Sequence, residues 1–368
     1  MQQAQHARGW NFLPKLTFVI TIGLITAATG FQARAVDVFT DPVGFITLTA
    51  EGTSGPGSSP AYSFQGLGMT QIPALRGVVG TVSGQQVPVN STLTPGQYAE
   101  GPRGPLFYIE DVNSNSAYAG FTDDIISNDA NNVYTLFNDS VQIAANDSFK
   151  IYPHWTIATV FGATDQAGLQ QGTGTTADQI LIQNPNLPGQ PLATYFYNNA
   201  TTKSLTPGWR GTASGNTDVS QTPLYSDQGV LIGRQVSTNV SYLLVGGVKL
   251  GPTLIPLSGT NNFAGNVYAT SAMTLSNSHL YTDGLPSDSL VAGTGTTADQ
   301  VLVHNDVTGG LTVYFYNNAT TKSLTPGWRS TSSGNTDQSG ATIPMGAFVL
   351  ISLQPGHPGF NWAEPAPY

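Results

Sequence analysis

Short apolar runs alternate with polar residues along most of the chain, and Gly, Pro, Asn or Asp residues separate them. Runs of about four to eight residues that are rich in Val, Ile, Thr, Tyr and Phe predict β-strands. The strands predicted in this way lie at 106–109, 133–137, 148–152, 180–183, 194–198, 229–234, 242–248, 301–304, 312–317 and 348–352. No segment has the spacing of apolar residues that a long amphipathic helix requires. The pattern therefore predicts an all-β protein.

The largest feature of the sequence is a segment that occurs twice. The letters YFYNNATTKSLTPGWR occupy both 195–210 and 314–329, and GTGTTADQ precedes both copies. Self-similarity at this scale indicates a repeated folding unit, so we predict two tandem domains, each a β-sandwich or a barrel-like fold. The predicted divisions are an N-terminal β domain at 36–152, repeat domains at 153–255 and 256–353, and a proline-rich extended tail at 354–368.

The N-terminal strand region has a flexible connection to the rest of the chain. The segment 36–51 predicts one or two strands, and GTSGPGSSP at 52–60 predicts a linker. A hairpin with its turn at Ser83 and Gly84 is predicted at 76–89. Because the linker is flexible, the strand can complete a sheet of its own chain or, by exchange, a sheet of a neighbouring molecule.

The first 35 residues have the features of a removable export signal. Arg8 and Lys15 precede an apolar, uncharged run at 16–30, and Ala33-Arg-Ala35 provides a small-x-small cleavage site. We therefore expect a mature chain that begins near Val36 and is secreted or displayed at the cell surface. The alternative is a retained anchor helix, which the shortness of the apolar run disfavours. No later segment is long and apolar enough to cross a membrane.

The charge and composition exclude several classes of partner. The chain has a net charge of −9, and loss of 1–35, which holds three basic residues and no acid, would take it to −12. This balance argues against binding to nucleic acid or to anionic lipid, both of which need a basic surface. Charged residues make up 9% of the chain, against about 25% in ordinary soluble proteins. The absence of cysteine excludes disulfides, thiolate metal sites and a cysteine nucleophile.

Catalytic signals are weak. The chain has no nucleophile elbow, zinc-protease motif, phosphate loop or dinucleotide motif. Among the histidines that follow the export signal, His154 has the most suggestive setting, next to Trp155 at a predicted domain junction; the alternative is a packed aromatic junction. The adjacent acids Glu110-Asp111 and Asp123-Asp124 could each supply one carboxylate of a glycosidase centre, but the sequence does not select which.

One loop resembles the beginning of a calcium site. Asp111, Asn113 and Asn115 have the alternating oxygen ligands of a calcium-binding loop, although the glycine and glutamate that complete such a loop are missing. Calcium is therefore the one cofactor that the sequence suggests. The alternative is a structural loop in a protein rich in asparagine.

The repeated segment concentrates aromatic residues and arginine. Exposed Tyr and Trp rings form many sugar-binding sites, so these clusters are candidates for ligand binding. In the alternative interpretation Trp209 and Trp328 close the core and the arginines pair with Asp178 and Asp299. The candidate ligand-binding residues are Tyr195, Tyr197, Trp209, Arg210, Tyr314, Tyr316, Trp328 and Arg329, together with His154 and Trp155.

Several short motifs occur in an order that is informative as a set. They are TDPVGF at 40–45, the hairpin at 77–89, DSF at 147–149, HWT at 154–156 leading to VF at 160–161, DQILI at 178–182, ATYFY at 193–197 and WR at 209–210. In this order the chain resembles a family of uncharacterised exported bacterial proteins of similar length. The resemblance implies a secreted β-rich protein at or beyond the outer surface of a bacterium, and it supplies no catalytic residue.

Three functions are compatible with the sequence. The first is a non-catalytic structural or adhesion protein that associates with itself or with a cell-surface polymer; the second is an extracellular protein that binds polysaccharide; the third is a secreted hydrolase. Aromatic rings exposed in a groove would favour the second. A cleft that holds His154 with a carboxylate and a hydroxyl would favour the third. The sequence itself favours a protein that is not an enzyme.

Overall fold

Strands and loops make up nearly all of the computed structural model, which describes residues 41–55, 57–183, 191–201, 205–268, 272–305, 310–320 and 325–367. The all-β prediction is confirmed, since the described part of the chain contains a single short helix, α1 (Ile157–Phe161). The predicted export signal lies outside the described residues. None of the helical residues described forms a span long and apolar enough to cross a membrane.

The strands are numbered in chain order. They are β1 (Val43–Ala50), β2 (Ala61–Gln65), β3 (Leu75–Val78), β4 (Gln86–Pro88), β5 (Phe107–Asp111), β6 (Thr122–Asn128), β7 (Asn132–Thr135), β8 (Ser148–Pro153), β9 (Trp155–Thr156), β10 (Gln179–Ile182), β11 (Ala193–Asn198), β12 (Gly208–Gly211), β13 (Pro223–Leu224), β14 (Val230–Arg234), β15 (Val240–Gly247), β16 (Thr253–Leu257), β17 (Asn261–Gly265), β18 (Met273–Thr274), β19 (Gln300–Asn305), β20 (Gly310–Asn317), β21 (Gly327–Ser330), β22 (Thr342–Ile343), β23 (Phe348–Ser352) and β24 (Phe360–Glu364).

Strands β3 to β8 form a barrel-like sheet in the order β3-β8-β5-β6-β7-β4. Its two edges meet at a bridge between Val79 and Val89, and the Gly80 amide donates to the Pro88 carbonyl at 2.8 Å. The predicted hairpin at 76–89 therefore forms the seam that joins the edges. Alternate residues of these strands point inwards and fill the interior with apolar side chains. This core includes Val87, Ile109, Ile125, Val133 and Ile151.

The repeated sequence adopts the same pairing in both places. One five-stranded sheet has the order β12-β11-β10-β14-β2 and the other has the corresponding order β21-β20-β19-β23-β17. Tyr197 pairs with Trp209 in the first sheet, and Tyr316 pairs with Trp328 in the second. Each sheet is accompanied by a two-stranded ribbon, β1–β15 or β16–β24, and by a short pair, β9–β13 or β18–β22. We call each of these sets a sheet system.

Two terminal segments pair differently from the sequence-based expectation. Strands β1 and β2, which the sequence grouped with the N-terminal β domain, pair with β15 and β14 of the first sheet system. The segment 354–368, predicted to be an extended tail, contains β24, which pairs with β16 and buries Trp362 completely. In both cases the decisive partners are distant in sequence, and local patterns do not identify them. The division into domains otherwise stays a prediction.

The barrel-like sheet interrupts the first sheet system in sequence. It lies between β2 and β9 of the first sheet system. The strands that correspond to these in the second sheet system, β17 and β18, are separated only by residues 266–272. The barrel-like sheet is thus an additional element that the second sheet system lacks at this point.

The two five-stranded sheets pack against each other in a reciprocal way. Gln183, at the end of β10, donates to the Asn261 carbonyl at 2.9 Å and accepts from the Phe263 amide at 2.8 Å, both on β17. Its counterpart His304 stacks its ring on Phe64 of β2, with centroids 5.0 Å apart. Each residue therefore contacts the edge strand of the opposite sheet. The apolar side chains between the sheets include Phe64, Leu231, Phe263, Phe348 and Leu350.

Candidate functional site

A pocket of about 390 Å³ lies where the barrel-like sheet meets both sheet systems. Strand β6 and the loop at 137–142 form one wall, the loop at 225–227 forms a second, and β16 forms a third. The polar lining includes Asp123, Asp124, Asp139, Asp227, His154, Tyr225 and Lys249, and the aromatic lining includes Tyr108, Phe121 and Phe137. These side chains come from segments more than one hundred residues apart, so the pocket exists only in the folded chain.

One end of the pocket is organised around Asp124. Its Oδ1 lies 2.8 Å from His154 Nε2, and its Oδ2 accepts a hydrogen bond from the Tyr225 hydroxyl at 2.8 Å. The rings of Tyr108 and Tyr225 flank the imidazole, with centroids 4.8 and 4.6 Å away. His154 is thus brought to a carboxylate and a phenol. The His154 imidazole and the Tyr225 hydroxyl both bind the Asp124 carboxylate, so they fix Asp124 in place. The Tyr225 hydroxyl is therefore not aligned with His154 as a nucleophile would be.

Trp155 points away from this pocket. Its Nε1 donates to the Met69 carbonyl at 2.8 Å, and its ring is buried in the core of the first sheet system. Neighbouring residues of an extended chain project in opposite directions, which separates Trp155 from His154. Of the two candidate residues at this junction, His154 therefore borders the pocket and Trp155 is a core residue.

The pocket lining also contains a pair of buried carboxyl groups, Asp123 and Asp139. Asp123 accepts hydrogen bonds from the backbone amides of Asp124 and Phe137 at 2.7 and 2.8 Å. Asp139 is fully buried, and the Thr135 hydroxyl and the Asp123 carboxyl group lie beside it. Burial, together with the negative charge of Asp139, raises the pKa of Asp123 to about 8. Asp123 is therefore protonated at neutral pH and can share that proton with Asp139.

Further acids surround the centre of the pocket. Lys249 lines the pocket and forms a buried ion pair with Glu110. Burial raises the pKa of Asp227, and the charge of Asp124 raises it further, against the opposing effects of His154 and Lys249. The lining therefore contains more carboxyl groups than bases. This balance favours a ligand that donates hydrogen bonds or carries positive charge.

The repeated Trp residues are core residues in both sheets. Trp209 is 0% exposed and Trp328 is 3% exposed, and each packs edge-on against its paired tyrosine. The Trp209 indole also donates to the Gly162 carbonyl at 2.8 Å, at the residue that ends α1. Tyr197 is buried, and the remaining tyrosines of the repeated clusters, Tyr195, Tyr314 and Tyr316, are half-buried. The clusters therefore do not present their Trp rings in an open groove.

The repeated arginines have other partners than the sequence suggested. Arg210 donates to the carbonyl and hydroxyl of Thr206 at 2.8 and 2.7 Å, and its nearest carboxylate is that of Asp218 at 3.8 Å. Arg329 is bound in the same way, with Asp337 at 3.4 Å. The expected pairing with Asp178 and Asp299 is wrong. Asp178 instead pairs with Arg234, the last residue of β14, and Asp299 lies 3.3 Å from His357, which follows β23.

Two side-chain oxygens of the proposed calcium loop, Asp111 Oδ1 and Asn113 Oδ1, accept hydrogen bonds from backbone amides of the same loop. Asp111 accepts from the Asn113 amide at 2.9 Å, and Asn113 accepts from the Asn115 amide at 3.1 Å. The Asn113 side chain also donates to Asp147 at 2.7 Å. Nowhere in the described part of the chain are three or more His, Asp or Glu side chains grouped as metal ligands. Calcium binding at this loop stays a prediction.

Comparison with known proteins gives no match to a protein family, a curated protein or a solved structure. Function is therefore inferred from the pocket alone. The sequence singled out His154 and the pair Asp123-Asp124, which the structure brings together. It gave no signal for Asp139, Tyr225, Asp227 or Lys249, because each belongs to a loop or strand end with an ordinary composition.

Because Asp123 holds a proton in the folded protein, we expect the free energy of unfolding to depend measurably on pH. The ordinary pKa of 3.8 applies in the unfolded chain and a pKa of about 8 in the folded protein, so the folded state binds an extra proton between these values. Stability should therefore fall as pH rises through this window, and the loss should be complete above it. The Asp123→Asn side chain cannot titrate. The free energy of unfolding of this variant, measured by urea denaturation, should therefore fall less over the same pH series. The exposed control Asp288→Asn should follow the unsubstituted protein, and an unchanged slope in Asp123→Asn would contradict the assignment.

Proposed function

We propose that this protein binds a neutral, hydroxyl-rich small molecule of the saccharide class in the pocket between the barrel-like sheet and the two sheet systems. The observation that carries the proposal is the set of buried acceptors in this pocket, which outnumber the donors beside them. The Gln142 side-chain carbonyl is buried there and no donor reaches it from the described residues, and Asp139 is fully buried with only the Asp123 proton and the Thr135 hydroxyl beside its two oxygens. A buried acceptor left in this state costs free energy, and a ligand that supplies hydroxyl groups removes the cost.

The shape and lining of the pocket support this class of ligand. Its volume of about 390 Å³ lies within the usual range for small-molecule sites, which is about 300–1,000 Å³. Phe121 and Phe137 line the same pocket as Asp139, so a sugar ring could place its C–H face on an aromatic ring and its hydroxyls on carboxylates. The excess of carboxyl groups disfavours phosphorylated and acidic sugars.

The proposed activity agrees with the sequence-based hypotheses on location and role. A predicted export signal would place the pocket outside the cell, where polysaccharides and their fragments are available. Binding to a cell-surface polymer would also provide adhesion, so the structural and adhesion role stays a proposal beside this one. The site differs from the one suggested by the sequence, because it uses the acids of the barrel-like sheet and not the repeated Trp residues.

Calorimetric titration of the purified protein with a panel of neutral mono- and oligosaccharides tests the proposal. At least one should bind, and at about one hundred times its Kd it should add about 2.7 kcal/mol to the free energy of unfolding. Asp139→Ala should abolish that binding, whereas Asp288→Ala, which replaces an exposed aspartate, should retain it. Absence of binding across the panel, or equal binding by both variants, would contradict the proposal.

A second candidate function, glycoside hydrolysis, is favoured by one specific observation. A general acid must be protonated at the working pH, and the raised pKa of Asp123 meets that requirement beside other carboxylates in the same pocket. With chromogenic glycosides of a sugar that binds, hydrolysis should occur and Asp123→Asn should lose it while retaining binding. If the sugar bound but no glycoside were hydrolysed, the hydrolase hypothesis would be wrong and the binding function would stand.

A further inference from the structure

The β1–β15 ribbon has apolar side chains on both of its faces. Leu48, Tyr242 and Leu244 point inwards and belong to the core of the first sheet system. The opposite side, which we call the outer ribbon face, carries the hydroxyl residues Thr47, Thr49 and Ser241. Its apolar residues are Val43, Phe45, Leu243 and Val245, which are 63%, 70%, 55% and 55% exposed.

The register of the ribbon makes these four side chains neighbours. Phe45 lies directly opposite Val245, and Leu243 lies opposite Thr47, one pair further along the same face. Single exposed apolar residues are ordinary on protein surfaces. A contiguous apolar group that includes a largely exposed phenylalanine is not ordinary, and such patches mark interaction surfaces.

The corresponding ribbon of the second sheet system is partly covered. Leu254 and Pro256 of β16 lie on the outer side of the β16–β24 ribbon and line the pocket. The Leu254 amide also donates to the Gly120 carbonyl of the barrel-like sheet at 3.2 Å. The barrel-like sheet therefore covers part of the outer side of the β16–β24 ribbon. Among the described residues, the equivalent outer face of the β1–β15 ribbon stays exposed.

We propose that the outer ribbon face binds the same face of a second copy of this chain. The choice of occupant follows from charge. Neither β1 nor β15 contains a charged residue, whereas the whole chain carries a net charge of −9, so two copies repel each other least at this surface. An uncharged face that carries an apolar group can pair with its own copy, which is what a two-fold interface requires.

The internal packing of the chain provides a precedent for such a contact. The two five-stranded sheets, whose strands correspond, already meet through apolar side chains such as Phe64 and Phe348, whose ring centroids are 4.9 Å apart. The proposed contact repeats this mode of association between molecules. It is independent of the saccharide pocket, to which none of the four outer residues contributes.

Sedimentation equilibrium over a range of protein concentrations tests the proposal. The unsubstituted protein should be a dimer that dissociates on dilution, and Phe45→Ser with Leu243→Ser should weaken association by at least about tenfold. The matched control is Leu285→Ser, which replaces a leucine that is equally exposed, at 55%, on another surface. A protein that stays monomeric, or a double variant that associates as strongly as the control, would overturn the proposal.

A cross-linking experiment covers the case in which the double variant folds poorly. The chain has no cysteine, so Val245→Cys introduces a single thiol near the centre of the outer ribbon face. A residue near the centre of a two-fold interface lies close to its own copy, so mild oxidation should yield a disulfide-linked dimer. Leu285→Cys should stay monomeric. Equal cross-linking of both variants, or binding of monomers to neutral lipid vesicles through this face, would overturn the assignment to a second copy.

Discussion

Replacing Trp209 with alanine is expected to lower the free energy of unfolding by about 3–5 kcal/mol. The indole is completely buried, packs against Tyr197 and Phe161 at 5.3 and 6.0 Å, and donates to the Gly162 carbonyl. Alanine would leave a large cavity in the core of the first sheet system and remove one of the two hydrogen bonds to the Gly162 carbonyl, which would keep the one from the Asp165 amide. Urea denaturation of the purified variant gives the free energy directly.

Two companion variants make this result specific. Trp328→Ala removes the equivalent ring and should have a loss of similar size, because Trp328 is also buried beside its paired tyrosine. Trp209→Phe retains much of the apolar volume and should lose clearly less stability. If Trp209→Ala were as stable as the unsubstituted protein but no longer bound saccharide, the repeated Trp residues would be ligand contacts and the assignment of the pocket would fail.

The second large effect is expected at the buried ion pair between Arg234 and Asp178. Their side chains are 3% and 0% exposed, and Asp178 also accepts hydrogen bonds from the backbone amides of Gln170 and Gln235. Arg234→Met would leave the carboxylate buried without its counter-charge. A loss of about 3–5 kcal/mol in the free energy of unfolding is therefore expected.

The double variant Arg234→Met with Asp178→Asn provides the control. Removal of both charges should restore part of the stability, since the remaining amide needs no counter-charge. If the double variant lost as much as the sum of the two single variants, the pair would not interact and the explanation would be wrong. The second sheet system offers a natural comparison, because Asp299 keeps the two backbone hydrogen bonds but has His357 in place of the arginine.

The local sequence was sufficient to predict most strands but not their partners. The strands at 180–183 and 301–304 were predicted because β-branched and aliphatic residues there are bounded by turn residues, and β10 and β19 lie at those positions. Strand β24 was missed because the prolines on both sides of it suggested an extended tail. Its burial depends on Trp362 entering a core formed by residues far away in the sequence.

The candidate site was predicted only in part, for the same reason. Adjacent residues such as Asp123 and Asp124 stand out in a chain with few charges. Asp139 and Tyr225 do not, because their significance comes from the positions that the fold gives them. The interpretation of the Trp clusters required burial to be known, since a tryptophan that closes a core and one that binds a sugar have the same sequence signature.

The reciprocal contacts of Gln183 and His304 have a consequence for the history of the chain. Each of the two corresponding sheets contacts the edge strand of the other. The two subunits of a symmetric dimer make reciprocal contacts of this kind. Duplication and fusion of a gene for a smaller self-associating protein would produce this arrangement. The barrel-like sheet would then have entered only one of the copies and removed the equivalence of the halves. The proposed pocket draws Asp123, Asp124 and Asp139 from the barrel-like sheet and its loops, and that sheet occurs once among the described residues, so a titration should saturate at one ligand per polypeptide.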